Sequence, residues 1–176
     1  MPAEIKGRSQ VYAGKVVTLE LQAVQRADGR TVQQEVIVHR PSVGMLPVDD
    51  QGMLLLVRQF RSPAATDLLE IPAGSVDPGE DAESAAQREL QEEVGMRAGR
   101  MRRLGGFYLA PGYCSEYMTV FLAEDLSAGT LEPDEDELIE VERLSLDEAL
   151  AQIESGRIQD VKSVAALLLY ARGHHA

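Results

Sequence analysis

The chain has 176 residues, 44% of them hydrophobic, with a formal net charge of −12. That length suits one domain, or one domain with a small appendage, and a chain of this size buries roughly two-thirds of its unfolded surface. The acidic balance argues against nonspecific nucleic-acid binding, and a single cysteine, Cys114, excludes an internal disulfide or a cysteine zinc site.

Along the chain, residues 10–24 and 31–39 alternate as strands around Ala27-Asp28-Gly29-Arg30, whose Asp-Gly is a hairpin signal. Residues 43–48 and 53–60 form a second strand pair around Asp49-Asp50-Gln51-Gly52. Residues 68–72 make a short strand leading to a helix. Asp77-Pro78-Gly79 is a turn, Asp81 a plausible N-cap, and Gly95 a left-handed stop, so the helix runs to about Val94. Ala82, Ala86, Leu90 and Val94 give it a thin apolar stripe. Strands at 101–110 and 116–126 flank the loop Ala110-Pro111-Gly112-Tyr113-Cys114-Ser115, and another follows at 138–146. Two helices close the chain, at 146–156 and about 160–172.

Strands, one central helix and two late helices make the class α+β, with helices packed on a mixed sheet. Residues 1–40, ending at Arg40-Pro41, read as a semi-independent antiparallel β element, and 41–176 as the main domain. The charge divides there too. The first part holds six Lys/Arg and four Asp/Glu, the second eleven and twenty-five. The small sheet is expected to pack on the main domain or on a partner subunit. There is no N-terminal apolar run with a cleavage site and no apolar stretch long enough to span a bilayer. A cytoplasmic protein with neither a membrane nor a nucleic-acid partner is expected. Cys114 is expected to be a buried small hydrophobe.

Glu89 and Glu93 stand four residues apart on the central helix and are neighbours, with Glu92 at their flank. Like charges so placed repel, and they sit where the helix dipole also disfavours them. A solvated acidic face relieved by Arg88 is one reading. The other is a set of hard oxygen ligands for Mg²⁺ or Mn²⁺, where a cation turns repulsion into affinity. An acidic protein acting on a polyanion needs such intervening cations.

The segment Gly74–Met96 resembles the signature of the Nudix hydrolases. Gly74, Glu80, Arg88-Glu89-Leu90, Glu92-Glu93 and Gly95-Met96 match its nine specified positions at the right spacing. The resemblance implies an α/β/α sandwich with a mixed β-sheet. It implies Glu89 and Glu93 as direct metal ligands, Glu92 as a ligand directly or through water and a member of the catalytic set, and the carbonyl of Ala73 in the metal shell. Glu80 would brace the loop onto the helix, and Arg88 would pair an acidic neighbour. Two or three ions are expected.

Pro111, fifteen residues beyond Met96, together with Val57–Arg61, Leu68–Gly74 and Asp134–Val141, is similar to the ADP-ribose pyrophosphatases. That subgroup resemblance implies hydrolysis of ADP-ribose to AMP and ribose 5-phosphate. Glu135 is the expected general base and Glu137 a further metal contact, in roles that can be exchanged. Arg58 and Arg61 would meet the diphosphate or terminal ribose. Glu70 would accept from the adenine amino group or serve as an inward structural carboxylate. Pro111 would lie at the substrate. Tyr12, Phe60, Tyr108 and Tyr113 are possible adenine-stacking residues, with core packing expected for most. A homodimer with exchanged N-terminal strands is expected. Alternatives are another nucleoside diphosphate sugar hydrolase, such as one for GDP-mannose, a catalytically silent ADP-ribose sensor, or a triphosphatase.

Overall fold

The structure is a computed structural model and describes residues 3–129, 131 and 139–174, the last without its side chain. It contains two compact units.

The first unit holds Met1–Pro41 together with Tyr108–Tyr117. Its sheet is antiparallel, in the order β1 (Glu4–Ala13), β2 (Val17–Gln25), β3 (Thr31–His39). The sequence suggested a single strand over 10–24. Instead the chain reverses at Gly14, whose amide donates to the Val17 carbonyl at 2.9 Å. Apolar residues continue on both sides of this turn, at Val11 and Val16, and so conceal it in the sequence. The Asp28-Gly29 turn forms as expected, with Gly29 at φ 83° and Asp28 Oδ1 accepting from the Arg30 amide at 3.0 Å. The loop of residues 108–117 joins β3. The Ile37 amide donates to the Tyr113 carbonyl at 2.7 Å, and the Ser115 amide to the Ile37 carbonyl at 2.9 Å. This loop groups with the N-terminal strands in one compact unit.

The second unit holds Ser42–Phe107 and Met118–Ala176. One sheet is built from β4 (Ser42–Pro47), β7 (Ala73–Ser75), β8 (Met96–Tyr108) and β9 (Tyr117–Ala128), in the order β7-β4-β9-β8. The other is β10-β5-β6, from β5 (Leu54–Arg61), β6 (Thr66–Glu70) and β10 (Glu140–Leu144). β4 is parallel to β9 and antiparallel to β7, so the sheet is mixed. Every residue of β4 is buried, as expected of a strand covered on both faces.

Alternation along β4 sorts its two faces. Val43 and Met45, with Phe121 and Ala123 of β9, pack against Ala85, Ala86 and Leu90 of α1 (Ala82–Val94). On the opposite face Gly44 lies against Ile71, Met118 and Val120. α2 (Leu146–Glu154) and α3 (Val161–His174) pack together, and α3 touches β4. No helix among the described residues is long and apolar enough to cross a membrane.

α1 starts and stops as its sequence dictates. Asp81 Oδ1 accepts the amides of Glu83 and Ser84, both at 3.0 Å, so it satisfies donors that the first turn leaves open. Gly95 ends the helix at φ 71°, ψ 22°, a conformation that costs glycine least.

A buried polar network fixes the chain between β6 and β7. Glu70 is 2% exposed. Its Oε2 accepts from Arg61 Nη2 at 2.7 Å and Nε at 3.0 Å, and Lys162 Nζ lies 2.9 Å away. Burial works against the charge on Glu70, but the hydrogen bonds from Arg61 and the charge of Lys162 more than offset it, leaving its pKa below the ordinary 4.5. One residue on, the Ile71 amide donates to Ser163 Oγ at 2.7 Å, inside the core.

Two outcomes are expected. Asp81→Ala should lower unfolding free energy by about 1 kcal/mol in denaturant titration, because two helix amides lose their acceptor. Glu70→Gln should cost about 2–3 kcal/mol at neutral pH, because two cations lose their shared anion. A depressed carboxyl pKa stabilises the fold above the unfolded-state value and loses that effect as pH falls through the folded value. The melting-temperature gap between parent and Glu70→Gln should therefore be constant at neutral pH and shrink below about 4.5. A gap that widens on acidification contradicts this.

Candidate active site on helix α1 and strand β7

The second unit brings the C-terminal half of α1 against β7. Glu93 is 8% exposed, and its Oε2 accepts the Ala73 amide at 3.1 Å. Glu89 lies one turn earlier, its side chain 13% exposed, directly over Gly74. A methyl group at Gly74 would overlap the Glu89 carboxylate. The glycine is therefore required by close approach, since its own φ is not in the left-handed region. Glu92 sits at the rim with its side chain 22% exposed.

Arg88 organises these acids. Nη1 donates to Glu89 Oε1 at 2.8 Å and to Glu92 Oε2 at 2.9 Å. Nη2 donates to the Ser75 carbonyl at 3.0 Å and to Glu80 Oε2 at 3.1 Å. Nε donates to Glu80 Oε1 at 3.2 Å. Glu80 also accepts the Asp77 amide at 3.1 Å, so it ties the preceding loop to the helix. The Arg88 bonds hold the Glu80 carboxyl below its usual range, and the acidic neighbours, Glu80 foremost, push the guanidinium pKa further up.

The donor set suits a hard divalent cation. It offers carboxylates from one helix face, next to a backbone strand whose only side chain at the contact is a hydrogen. Among the described residues no three acidic, histidine or cysteine side chains converge into a closed metal-binding group. Arg88 supplies the positive charge between Glu89 and Glu92. These side chains have the chemistry to hold divalent ions, with Glu93 already oriented by the Ala73 amide.

Other expected site residues take varied places. Arg58 pairs with Glu142 of β10, which also takes Arg157 Nη2 at 3.2 Å. Arg61 is engaged by Glu70, and its side chain stays 36% exposed. Glu70 is buried and ion-paired with Arg61 and Lys162. Glu135 and Glu137 lie outside the described residues.

Pro111 is in the first unit, where Gln22, Gln34, Tyr108, Pro111, Tyr113 and Cys114 line a cavity of about 320 Å³. Cys114 is half-buried on that cavity, in place of the core position expected for it. The four aromatic candidates also depart from core packing. Tyr12, Phe60, Tyr108 and Tyr113 are all 58–59% exposed. Tyr108 meets Tyr117 edge to face at 5.1 Å, a favoured aromatic geometry.

Sequence reasoning missed Lys162, Ser163 and Glu142. The Asp160-Val161-Lys162-Ser163 stretch did carry a signal, an aspartate opening a helix. Asp160 Oδ2 accepts the Ser163 amide at 3.1 Å and Lys162 Nζ at 2.9 Å.

Comparison with known proteins gives consistent results. The NUDIX domain model matches residues 38–167. An ADP-ribose pyrophosphatase of Bacillus subtilis (strain 168) is 38% identical over 162 residues, covering 91% of this chain and 88% of that protein. A methanol dehydrogenase activator of Bacillus methanolicus is 36% identical over 163 residues, covering 90% and 86%. A crystal structure of an ADP compounds hydrolase superposes with a TM-score of 0.88 at 29% identity, covering 98% of this chain and 94% of that one. Nudix hydrolases generally need divalent metal ions. With the family model spanning the α1 signature and both sheets of the second unit, this chain belongs to the NUDIX family.

Proposed function

We propose that this protein hydrolyses the diphosphate linkage of ADP-ribose with water, yielding AMP and ribose 5-phosphate. The acidic face of α1 carries the reading. Glu89, Glu92 and Glu93 are part-buried, and they are fixed by Arg88 and the Ala73 amide. Two similar proteins named for ADP-containing substrates support the choice of nucleotide.

Mg²⁺ or Mn²⁺, as two or three ions, would be held by Glu89, Glu92, Glu93 and the carbonyl of Ala73. Bound there, divalent ions supply positive charge against the diphosphate and promote ionisation of water. The chain's own part is orientation. The Ala73 amide fixes one oxygen of Glu93. Gly74 leaves room for the Glu89 carboxylate. Arg88 lets Glu89 and Glu92 stand side by side, because its charge offsets their repulsion.

Proton acceptance from the attacking water is assigned to Glu135, with Glu137 as a further metal contact; the two roles can be exchanged. Arg58 and Arg61, part-exposed on β5, are assigned to the anionic substrate. Glu70 orients Arg61 through its two hydrogen bonds. Pro111 and the exposed tyrosines beside it are assigned to the nucleotide end.

A homodimer is the inferred assembly. β1 is exposed along its whole length and carries Ile5, Val11 and Tyr12 into solvent. As an edge strand of its sheet, β1 also offers backbone groups for pairing with a second copy.

Two experiments test these readings. In an Mg²⁺-dependent panel of ADP-ribose, GDP-mannose, NADH and nucleoside triphosphates, ADP-ribose should be turned over best, with AMP released. Glu89→Gln should lose about a hundredfold in kcat with an unchanged circular dichroism spectrum. Preference for GDP-mannose would reassign the substrate, and unchanged turnover in Glu89→Gln would remove the metal role. Light scattering at micromolar concentration should give a dimer mass; a monomer would remove the assembly and leave the chemistry standing.

A further inference from the structure

We propose that the first turn of α3, through Lys162 and Ser163, positions the acidic face of α1 by gripping the chain that runs from Glu70 to Gly74. This rests on the metal-site reading of Glu89 and Glu93 given above.

The grip has two points on consecutive residues. Lys162 Nζ reaches Glu70 Oε2 at 2.9 Å, and Ser163 Oγ accepts the Ile71 amide at 2.7 Å. Both α3 side chains are buried, Lys162 to 9% exposure and Ser163 to none. Asp160 sets the geometry of both. One carboxylate oxygen takes the Ser163 amide at 3.1 Å and the Lys162 ammonium at 2.9 Å, so the capping group of the helix also aims the lysine.

The consequences are felt two and three residues further along. Pro72 accepts the Met45 amide of β4 at 2.9 Å. Ala73 then directs its amide to Glu93 Oε2 at 3.1 Å, and Gly74 lies under the Glu89 carboxylate. Proline restricts the backbone of this short run, so a shift at Ile71 has little slack in which to dissipate before Ala73. The two glutamates are thus aligned by β7, whose lead-in residues Glu70 and Ile71 are held by α3. Lys162 and Ser163 touch neither substrate nor cation and are positioning residues. Burying an ammonium against two carboxylates is weak support for stability by itself, which leaves alignment as the function of this pair.

The test measures Mn²⁺ binding to the substrate-free protein by calorimetry, well below the melting temperature, for the parent, Ser163→Ala, Lys162→Met and Leu167→Ala. Leu167 is fully buried one turn beyond Ser163 on the same helix, so its truncation destabilises α3 while leaving the Asp160, Lys162 and Ser163 side chains in place. Ser163→Ala and Lys162→Met should each weaken Mn²⁺ binding by about tenfold, the low end for disturbing a partner of a metal ligand. The Ala73 amide resonance should shift in both. Under saturating Mg²⁺, kcat should fall with KM nearly unchanged. Leu167→Ala should lower the melting temperature while keeping parental Mn²⁺ affinity. Parental affinity in both α3 variants, or an equal loss in Leu167→Ala, overturns the positioning role alone. A parent that binds no Mn²⁺ overturns the metal-site reading and this inference with it.

Discussion

A single guanidinium makes the centre of this protein possible. Arg88 bonds Glu80, Glu89 and Glu92 and caps the Ser75 carbonyl. Without it, Glu89 and Glu92 would repel each other across a part-buried helix face, and burial raises the cost of unpaired charge. Arg88 also links three successive pieces of chain: the β7 strand, the loop at Glu80 and the helix. The acids are held apart and in register by one side chain whose own charge burial cannot remove.

The second constraint is steric and complements the first. Gly74 allows the strand to come so near α1 that Glu89 rests on bare backbone. Strand and helix then exchange a hydrogen bond through Ala73 and Glu93. The tight packing of Ala85 and Ala86 against Val43 and Met45 supports the same approach, because small helix residues let the axis sit close to the sheet.

Much of this was legible in the sequence because the controlling interactions are local. Asp81 and Gly95 mark the ends of α1, and both do so for reasons intrinsic to aspartate and glycine. The acidic positions follow from helical spacing alone. What was not legible depends on distant chain. Arg58 finds Glu142, 84 residues away, only after β10 has paired with β5. Ser163 shows no sign in its own neighbourhood that it will receive the amide of Ile71. The Gly14 turn was hidden by apolar residues continuing past it, and β7 is too short for alternation to be seen. The exposed Tyr108 and Tyr113 were misjudged because residue type reports hydrophobic size and leaves location open.

The parallel pairing of β4 with β9 also bears on how the chain reaches this state. Ser42 sits beside Met118, and Pro47 beside Ala123. The middle of the sheet therefore cannot close until the polypeptide through β9 is available, whereas α1 and the N-terminal hairpins need only nearby residues. Loop closure over such a span is entropically costly and slows folding. During synthesis the nascent β4, apolar on both faces, has to wait for its partner, and that interval is when a growing chain of this protein is most exposed to aggregation.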